Sequence, residues 1–172
     1  MQPNILPVAS PDAKTISTLA ATIWWHHYVN IISAAQIDYM LRQRYQPELI
    51  EQQLLNPDIW WRKLTLNNTI IGFSCCMRTH NPGELKIDKL YIHPDHHRKG
   101  YGALLVADAL QILRENHLQS LILTVNKNNR SAISAYRHYG FVITGDSIVD
   151  IGNGFVMNDY LMTLEKLNRV AD

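Results

Sequence analysis

The chain has 172 residues, 16 Lys and Arg against 15 Asp and Glu, and a net charge of +1. That length suits one domain with a sizeable core and is short for two, so residues 1–172 are expected to form a single domain. The balanced charge excludes a global field for nucleic acid or an anionic membrane, so charged partners have to be bound locally.

Met1 to Lys14 contains no basic start followed by an apolar core, and no secretory signal is expected there. The span Thr15 to Ile37 is free of Asp, Glu, Lys and Arg, but His26, His27, Asn30, Ser33 and Gln36 interrupt it, which argues against a membrane helix. A first strand is predicted from Asn4 to Ala9. Ser10 as N-cap, Pro11 at the first helical position and Asp12 in the first turn then open a helix whose apolar face is Ile16, Leu19, Ala20 and Ile23. The aromatic run Trp24-Trp25-His26-His27-Tyr28 falls at its end and reads either as core packing or as a wall of a ligand site. His26 and His27 are adjacent and share no helical face, so they do not read as a zinc pair. Ser33 and Gln36 form a capping box for a second helix through Arg44, and a third helix opens at Pro47 and closes before Asn56-Pro57.

The period then changes to that of strands. Ile59 to Leu66 and Thr69 to Met77 flank a turn at Asn67-Asn68, and Asn81-Pro82-Gly83 leads into Glu84 to Ile92. Cys75 and Cys76, the only cysteines, neighbour each other on one of these strands, where side chains alternate faces; they read as buried thiols of a reducing, cytoplasmic protein. Strands are also predicted over Leu118 to Asn126, Phe141 to Thr144 and Tyr160 to Leu167. A helix over Ser131 to Tyr139 is stopped by Gly140, and Gly145 to Asp159 reads as a loop or hairpin tip. A meander followed by strand-helix-strand-helix and a closing hairpin is an α/β order with a mixed sheet.

The most informative stretch runs from Leu90 to Gly102. An apolar strand enters a basic turn, His93-Pro94-Asp95-His96-His97-Arg98-Lys99, then Gly100-Tyr101-Gly102 opens a helix from Ala103 to Leu113. The first amides of a helix lack intrahelical acceptors and carry the positive end of its dipole, so a strand, a glycine turn and a helix make an anion site. A dinucleotide fingerprint would need glycine at Leu105, and there is no phosphate loop ending in Gly-Lys-Ser/Thr. The histidines His93, His96 and His97 lack a distant ligand cluster, so a polar loop rather than a metal site is expected.

His97-Arg98-Lys99-Gly100-Tyr101-Gly102 resembles the acetyl-coenzyme A loop of the GNAT superfamily of N-acetyltransferases, [QR]-x-x-G-x-[GA], with His97 standing where Arg or Gln is usual. Some thirty residues on, the run from Asn126 to Phe141 is similar to a second motif of that family, N-x-x-N-x-x-A-x-x-x-Y-x-x-x-G-F, through Asn126, Asn129, Ala132, Tyr136, Gly140 and Phe141. The stretch Glu84 to Ile92, with the long N-terminal helical segment, also resembles the bacterial polyamine acetyltransferase branch.

The resemblance implies a GNAT-like sheet, mostly antiparallel, with helices on both faces and a splayed pair of parallel strands. It implies acetyl-coenzyme A as co-substrate and no metal. The coenzyme arm would lie along Leu90, Tyr91 and Ile92, the pyrophosphate on His97, Arg98, Lys99, Gly100, Tyr101 and Gly102, and Asn129 against the arm. An amide of Leu90 or Tyr91 would stabilise the oxyanion. An amine with a reference pKa near ~10 must lose a proton before it attacks, and a thiolate of pKa ~8.5 gains from a proton donor. Tyr136 matches the tyrosine that reaches the thioester sulfur. Asp88, two residues before Leu90 on one strand face, resembles the acidic residue that serves as base or water-holder, and Glu84 is the second choice. Asp88 also reads as an ion-pair partner of Lys86 or Lys89. The expected acceptor is a small-molecule amine, with polyamines first and protein or peptide amines as the alternative. Its site would be shaped by the N-terminal helices and the Gly145 to Asp159 loop with Asp146, Asp150 and Asp159. A homodimer is left open, neither nucleic acid nor membrane is expected as partner, and the rival reading is a non-catalytic acyl-coenzyme A sensor.

Overall fold

The computed structural model describes residues 2–165. Its sheet has seven strands in the order β1-β2-β3-β4-β5-β7-β6, where β1 is Asn4–Pro7, β2 Ile59–Leu66, β3 Thr69–Arg78, β4 Glu84–Ile92, β5 Ser120–Asn126, β6 Val142–Gly152 and β7 Phe155–Glu165. It is mixed and mostly antiparallel, with β4 and β5 as its parallel pair, and has the helices α1 (Ala13–His27), α2 (Ala34–Arg44), α3 (Pro47–Leu54), α4 (Tyr101–Glu115) and α5 (Arg130–His138) around it. The parallel ladder runs from Glu84↔Ser120 to Ile87↔Leu123 and ends there.

Two compact units divide the described residues. One holds residues 2–77 and 88–108, the other 78–87 and 109–165. The first contains β1, β2, all of β3 but Arg78, and α1 to α3, together with the last five residues of β4 and the start of α4. Ile16, Ala20 and Ile23 of α1 are fully buried, as their helical spacing predicts. Ser33 caps α2 by accepting a hydrogen bond from the Gln36 amide at 3.1 Å. Asn67 and Asn68 both have positive φ, 51° and 61°, the conformation a two-residue hairpin of type I′ requires. Leu64, Ile71, Ile92 and Leu105 form a buried cluster against which Leu90 and Tyr101 pack. The residues entering and leaving the basic turn are thus held in one apolar cluster, where each buried Leu or Ile contributes roughly 1.5–3 kcal/mol.

In the second unit α5 is capped by Asn129, whose Oδ1 accepts from the Ala132 amide at 3.3 Å, and β7 lies between β5 and β6. Here the sequence reading needs correction. The segment from Gly145 to Asp159, read as a loop or hairpin tip, is a hairpin with long arms: β6 and β7 pair from Val142↔Thr163 to Gly152↔Phe155 and turn at Asn153-Gly154. Its aspartates masked the strand signal carried by Ile148, Val149, Ile151 and Val156. A second correction concerns Ser10. It does not cap α1, because a 3-10 turn (Ser10–Asp12) precedes the helix and the Ser10 hydroxyl donates to Glu51 at 2.7 Å. The Asp12 carboxylate accepts the Ala9 amide instead, at 2.8 Å. Lys166 and Leu167, expected to end the last strand, lie outside the described residues. Among the described residues no helix is long and apolar enough to cross a membrane.

Candidate active site

The basic turn after β4 is shaped by its own side chains. A 3-10 turn covers Pro94–His96, and the His93 amide donates to the Ile71 carbonyl at 2.8 Å. A ring nitrogen of His97, Nε2, lies 2.8 Å from the Ile92 carbonyl and donates to it, which ties the turn back onto the strand end. This gives the residue that departs from the family pattern a structural task. Lys99 donates to the Asp95 carbonyl at 3.0 Å. Arg98 and Gly100 both have left-handed backbones, with φ of 60° and 78°, and α4 begins at Tyr101 with the Ala103 amide on the Gly100 carbonyl. Only glycine adopts that φ without cost, and nothing lies within 4 Å of the place where a Cβ on residue 100 would stand. Backbone amides therefore start a helix beside open space, with Arg98 and Lys99 adding charge, as an anion site requires.

Upstream of the turn, Tyr91 sits among aromatic rings. Its ring centre is 5.7 Å from Phe73, 6.1 Å from Trp24 and 6.3 Å from Tyr45, and its hydroxyl lies 3.4 Å from that of Tyr28. Trp24 is core, only 2% exposed, whereas Trp25 is 43% exposed and His26 is exposed. The aromatic run thus divides: Trp24 packs inward, Tyr28 reaches Tyr91, and Trp25 faces solvent. Burial pushes the Tyr91 and Tyr45 hydroxyls well above their ordinary pKa, so both stay neutral hydrogen-bonding groups. Gly72 lets the strands approach here: a Cβ on it would meet Ile92 Cδ1 at 2.6 Å and the Tyr91 carbonyl oxygen at 2.8 Å. Sequence reasoning missed Gly72, although a glycine inside a strand is itself a signal of close approach.

Asp88 is paired with two cations. Arg44 donates to its Oδ2 at 2.8 Å, and Lys89 Nζ contacts the same oxygen. Lys89 is buried, its ammonium 5.3 Å from the Trp61 ring centre and 5.5 Å from that of Tyr45. Burial works against the Arg44 charge, but Asp88, Tyr45 and Tyr91 together outweigh it and hold the guanidinium pKa above its ordinary value. The ion pair with Lys89 foreseen for Asp88 forms; Arg44 was not foreseen, because it is 44 positions away.

In the second unit, Glu84 accepts from the Thr79 hydroxyl at 2.6 Å and from Asn81 Nδ2 at 3.1 Å, which fastens it to the preceding turn. Tyr136 is half-buried on α5 with its ring 5.8 Å from that of Phe141. Asn129 is buried, and its carboxamide oxygen caps α5 and accepts from the Ser131 hydroxyl at 3.3 Å. The cap fixes where α5 starts, and hence where Tyr136 stands on it. Of the aspartates expected to attract a polycation, Asp146 pairs with Lys127, Asp150 accepts the Gly152 amide at 2.8 Å, and Asp159 is buried. Among the described residues no group of three or more His, Cys, Asp or Glu is arranged to hold a metal.

Comparison with known proteins identifies the family. The profile of the Acetyltransferase (GNAT) family matches residues 18–141. The spermidine N(1)-acetyltransferase of Thermoplasma acidophilum is 26% identical over 161 residues, 91% of this chain and 96% of that protein. The peptidyl-lysine N-acetyltransferase YjaB of Salmonella typhimurium is 31% identical over 112 residues, 64% of this chain and 70% of that protein. In fold, the chain is similar to the PaiA N-acetyltransferase of Thermoplasma acidophilum, solved in complex with coenzyme A, with a TM-score of 0.80 and 22% identity over 96% of this chain and 99% of that one. A glycine turn opening α4, a capped α5 carrying Tyr136 and a family profile spanning both together mean that the chain belongs to the GNAT family of N-acetyltransferases.

Proposed function

We propose that the protein acts as one domain that transfers an acetyl group from acetyl-coenzyme A directly to a primary amine of a small molecule, with polyamines as the acceptor class. The observation that carries the donor assignment is the left-handed Gly100 at the start of α4 beside Arg98 and Lys99. Amides of residues 98 to 102 would hold the pyrophosphate, while the backbone of Leu90 to Ile92 would run beside the pantetheine arm as an added strand. The coenzyme A complex of the PaiA relative supports this donor, and the spermidine acetyltransferase relative supports a polyamine acceptor.

In the reaction the neutral amine attacks the thioester carbon, the oxyanion is held by an amide of Leu90 or Tyr91, and collapse breaks the C–S bond. Tyr136 gives its hydroxyl proton to the departing sulfur and recovers one from solvent. Asp88 is the acceptor-side carboxylate: through an ordered water, because Arg44 and Lys89 already engage its Oδ2, it takes the proton that the amine nitrogen loses as the amide forms. Glu84, fastened to Thr79 and Asn81, is the second candidate. No covalent acyl-enzyme is required. Buried free thiols at Cys75 and Cys76 suit a reducing, cytoplasmic setting.

The YjaB relative favours a second acceptor class, the lysine side chain of a protein or peptide. Replacing Tyr136 by Phe tests the mechanism. Turnover with the best amine should fall about 10²-fold or more while acetyl-coenzyme A binding persists. Unchanged turnover would remove Tyr136 from its role, and binding without turnover for any amine or lysine peptide would favour an acyl-coenzyme A sensor.

A further inference from the structure

The hairpin of the second unit ends the sheet in a way that invites a partner. Among the described residues β6 is the terminal strand, eleven residues long, and it exposes apolar side chains: Val142 is 59% exposed, Ile148 69% and Val149 49%. Natural edge strands are commonly blunted by Lys, Pro, other charges or bulges; Val142–Gly152 has Asp146, Asp150 and two register shifts but no Lys, Arg, Glu or Pro.

The identity of the partner follows from the register. Opposite β7, the residues Ile143, Asp146 and Ile148 stand across from Met162, Tyr160 and Asn158 on one face, and Val142, Gly145, Ser147 and Val149 stand across from Thr163, Leu161, Asp159 and Met157 on the other. Thr144 is the extra residue, so the ladder steps from Ile143 to Gly145. Counted in ladder steps, Ile143 and Ile148 are each two from Asp146, and Val142 and Val149 are each three. Within Val142–Val149 the apolar pattern is therefore symmetric about Asp146. An antiparallel pair of two copies with its two-fold axis at Asp146 sets Ile143 against Ile148 on one face and Val142 against Val149 on the other, twice each. A foreign strand has no reason to match that symmetry. The two Asp146 carboxylates meeting at the axis would each arrive neutralised by an ion pair to Lys127, whose ammonium lies 5.1 Å from the Tyr160 ring centre.

We propose that β6 pairs antiparallel with β6 of a second copy of this chain, forming a homodimer whose sheets run on through Val142–Val149. Light scattering of the full chain over a concentration series should give the dimer mass. Ile148→Lys, placing a charge where apolar side chains meet, should weaken the dimer at least about tenfold while circular dichroism and acetyl-coenzyme A binding stay unchanged. Asp146→Cys tests the register: under mild oxidation it should link to itself across the axis, whereas Ser147→Cys should not, since its two copies are offset along the strands. A monomer at every concentration, a dimer indifferent to Ile148→Lys, or an Asp146→Cys variant that is dimeric by mass and does not cross-link would each overturn the proposal. None of these outcomes depends on which amine is acetylated.

Discussion

The turn from His93 to Gly102 and the nest around Tyr91 adjoin at Ile92, yet they are built in opposite ways. In the turn the side chains serve the loop itself: His97 binds the Ile92 carbonyl and Lys99 the Asp95 carbonyl, while the backbone at the start of α4 lies beside open space. In the nest the side chains carry everything, with Tyr91 among Trp24, Tyr45 and Phe73, and Asp88 between Arg44 and buried Lys89. The difference teaches where substitutions should hurt. The nest has no slack for a lost side chain, while the turn tolerates new side chains and resists changes of backbone.

The largest effect is therefore expected at Asp88. Asp88→Ala leaves the Lys89 ammonium buried without its carboxylate, and unfolding in urea should show a loss of about 3–5 kcal/mol. A loss below about 1 kcal/mol would mean that the ion pairs are dispensable and the nest is less rigid than its packing implies. Next comes Gly72→Ala, whose methyl would press on Ile92 and the Tyr91 carbonyl. Overpacking should cost about 1–3 kcal/mol, and the shift of Tyr91 and Ile92 should also raise KM for acetyl-coenzyme A. A stability loss with unaltered KM would separate the strand backbone from the coenzyme arm.

At the turn, Gly100→Val forces a branched residue into φ near 78°, costing about 1–2 kcal/mol in the loop conformation. It should weaken acetyl-coenzyme A binding about tenfold in a titration, with little change in melting temperature, and Gly100→Asn should be milder because Asn tolerates that conformation. Smallest of all is Lys99→Ala, an exposed side chain, expected to change stability by less than about 0.5 kcal/mol and affinity by less than Gly100→Val does. If Lys99→Ala were the more damaging, charge rather than backbone would govern the site.

The same contrast explains what could be read in advance. Local signals sufficed for the turn, since Gly100, Gly102 and the strand before them are contiguous, and for α5, where Asn129 and Gly140 bracket Tyr136. The nest is made by contacts of long sequence separation. Nothing near Asp88 announces Arg44, and strand alternation gives no hint that Lys89 is buried between Trp61 and Tyr45. Asn129 shows a subtler limit: its motif position pointed to the coenzyme, while its side-chain oxygen is engaged in capping α5. The closing hairpin was foreseen, but not the length of its arms, because their exposed aspartates and glycines look like loop residues one at a time, and only pairing with β7 gives them a strand period.

The central claim is that this chain moves an acetyl group from coenzyme A to an amine. Release of the coenzyme A thiol from acetyl-coenzyme A, followed over a panel of polyamines, amino acids, aminoglycosides and lysine peptides, tests it most directly. The account predicts release that depends on the amine and is fastest with a polyamine such as spermidine. Release at the rate of the amine-free control with every member of the panel, by folded protein that still binds the coenzyme, would contradict it.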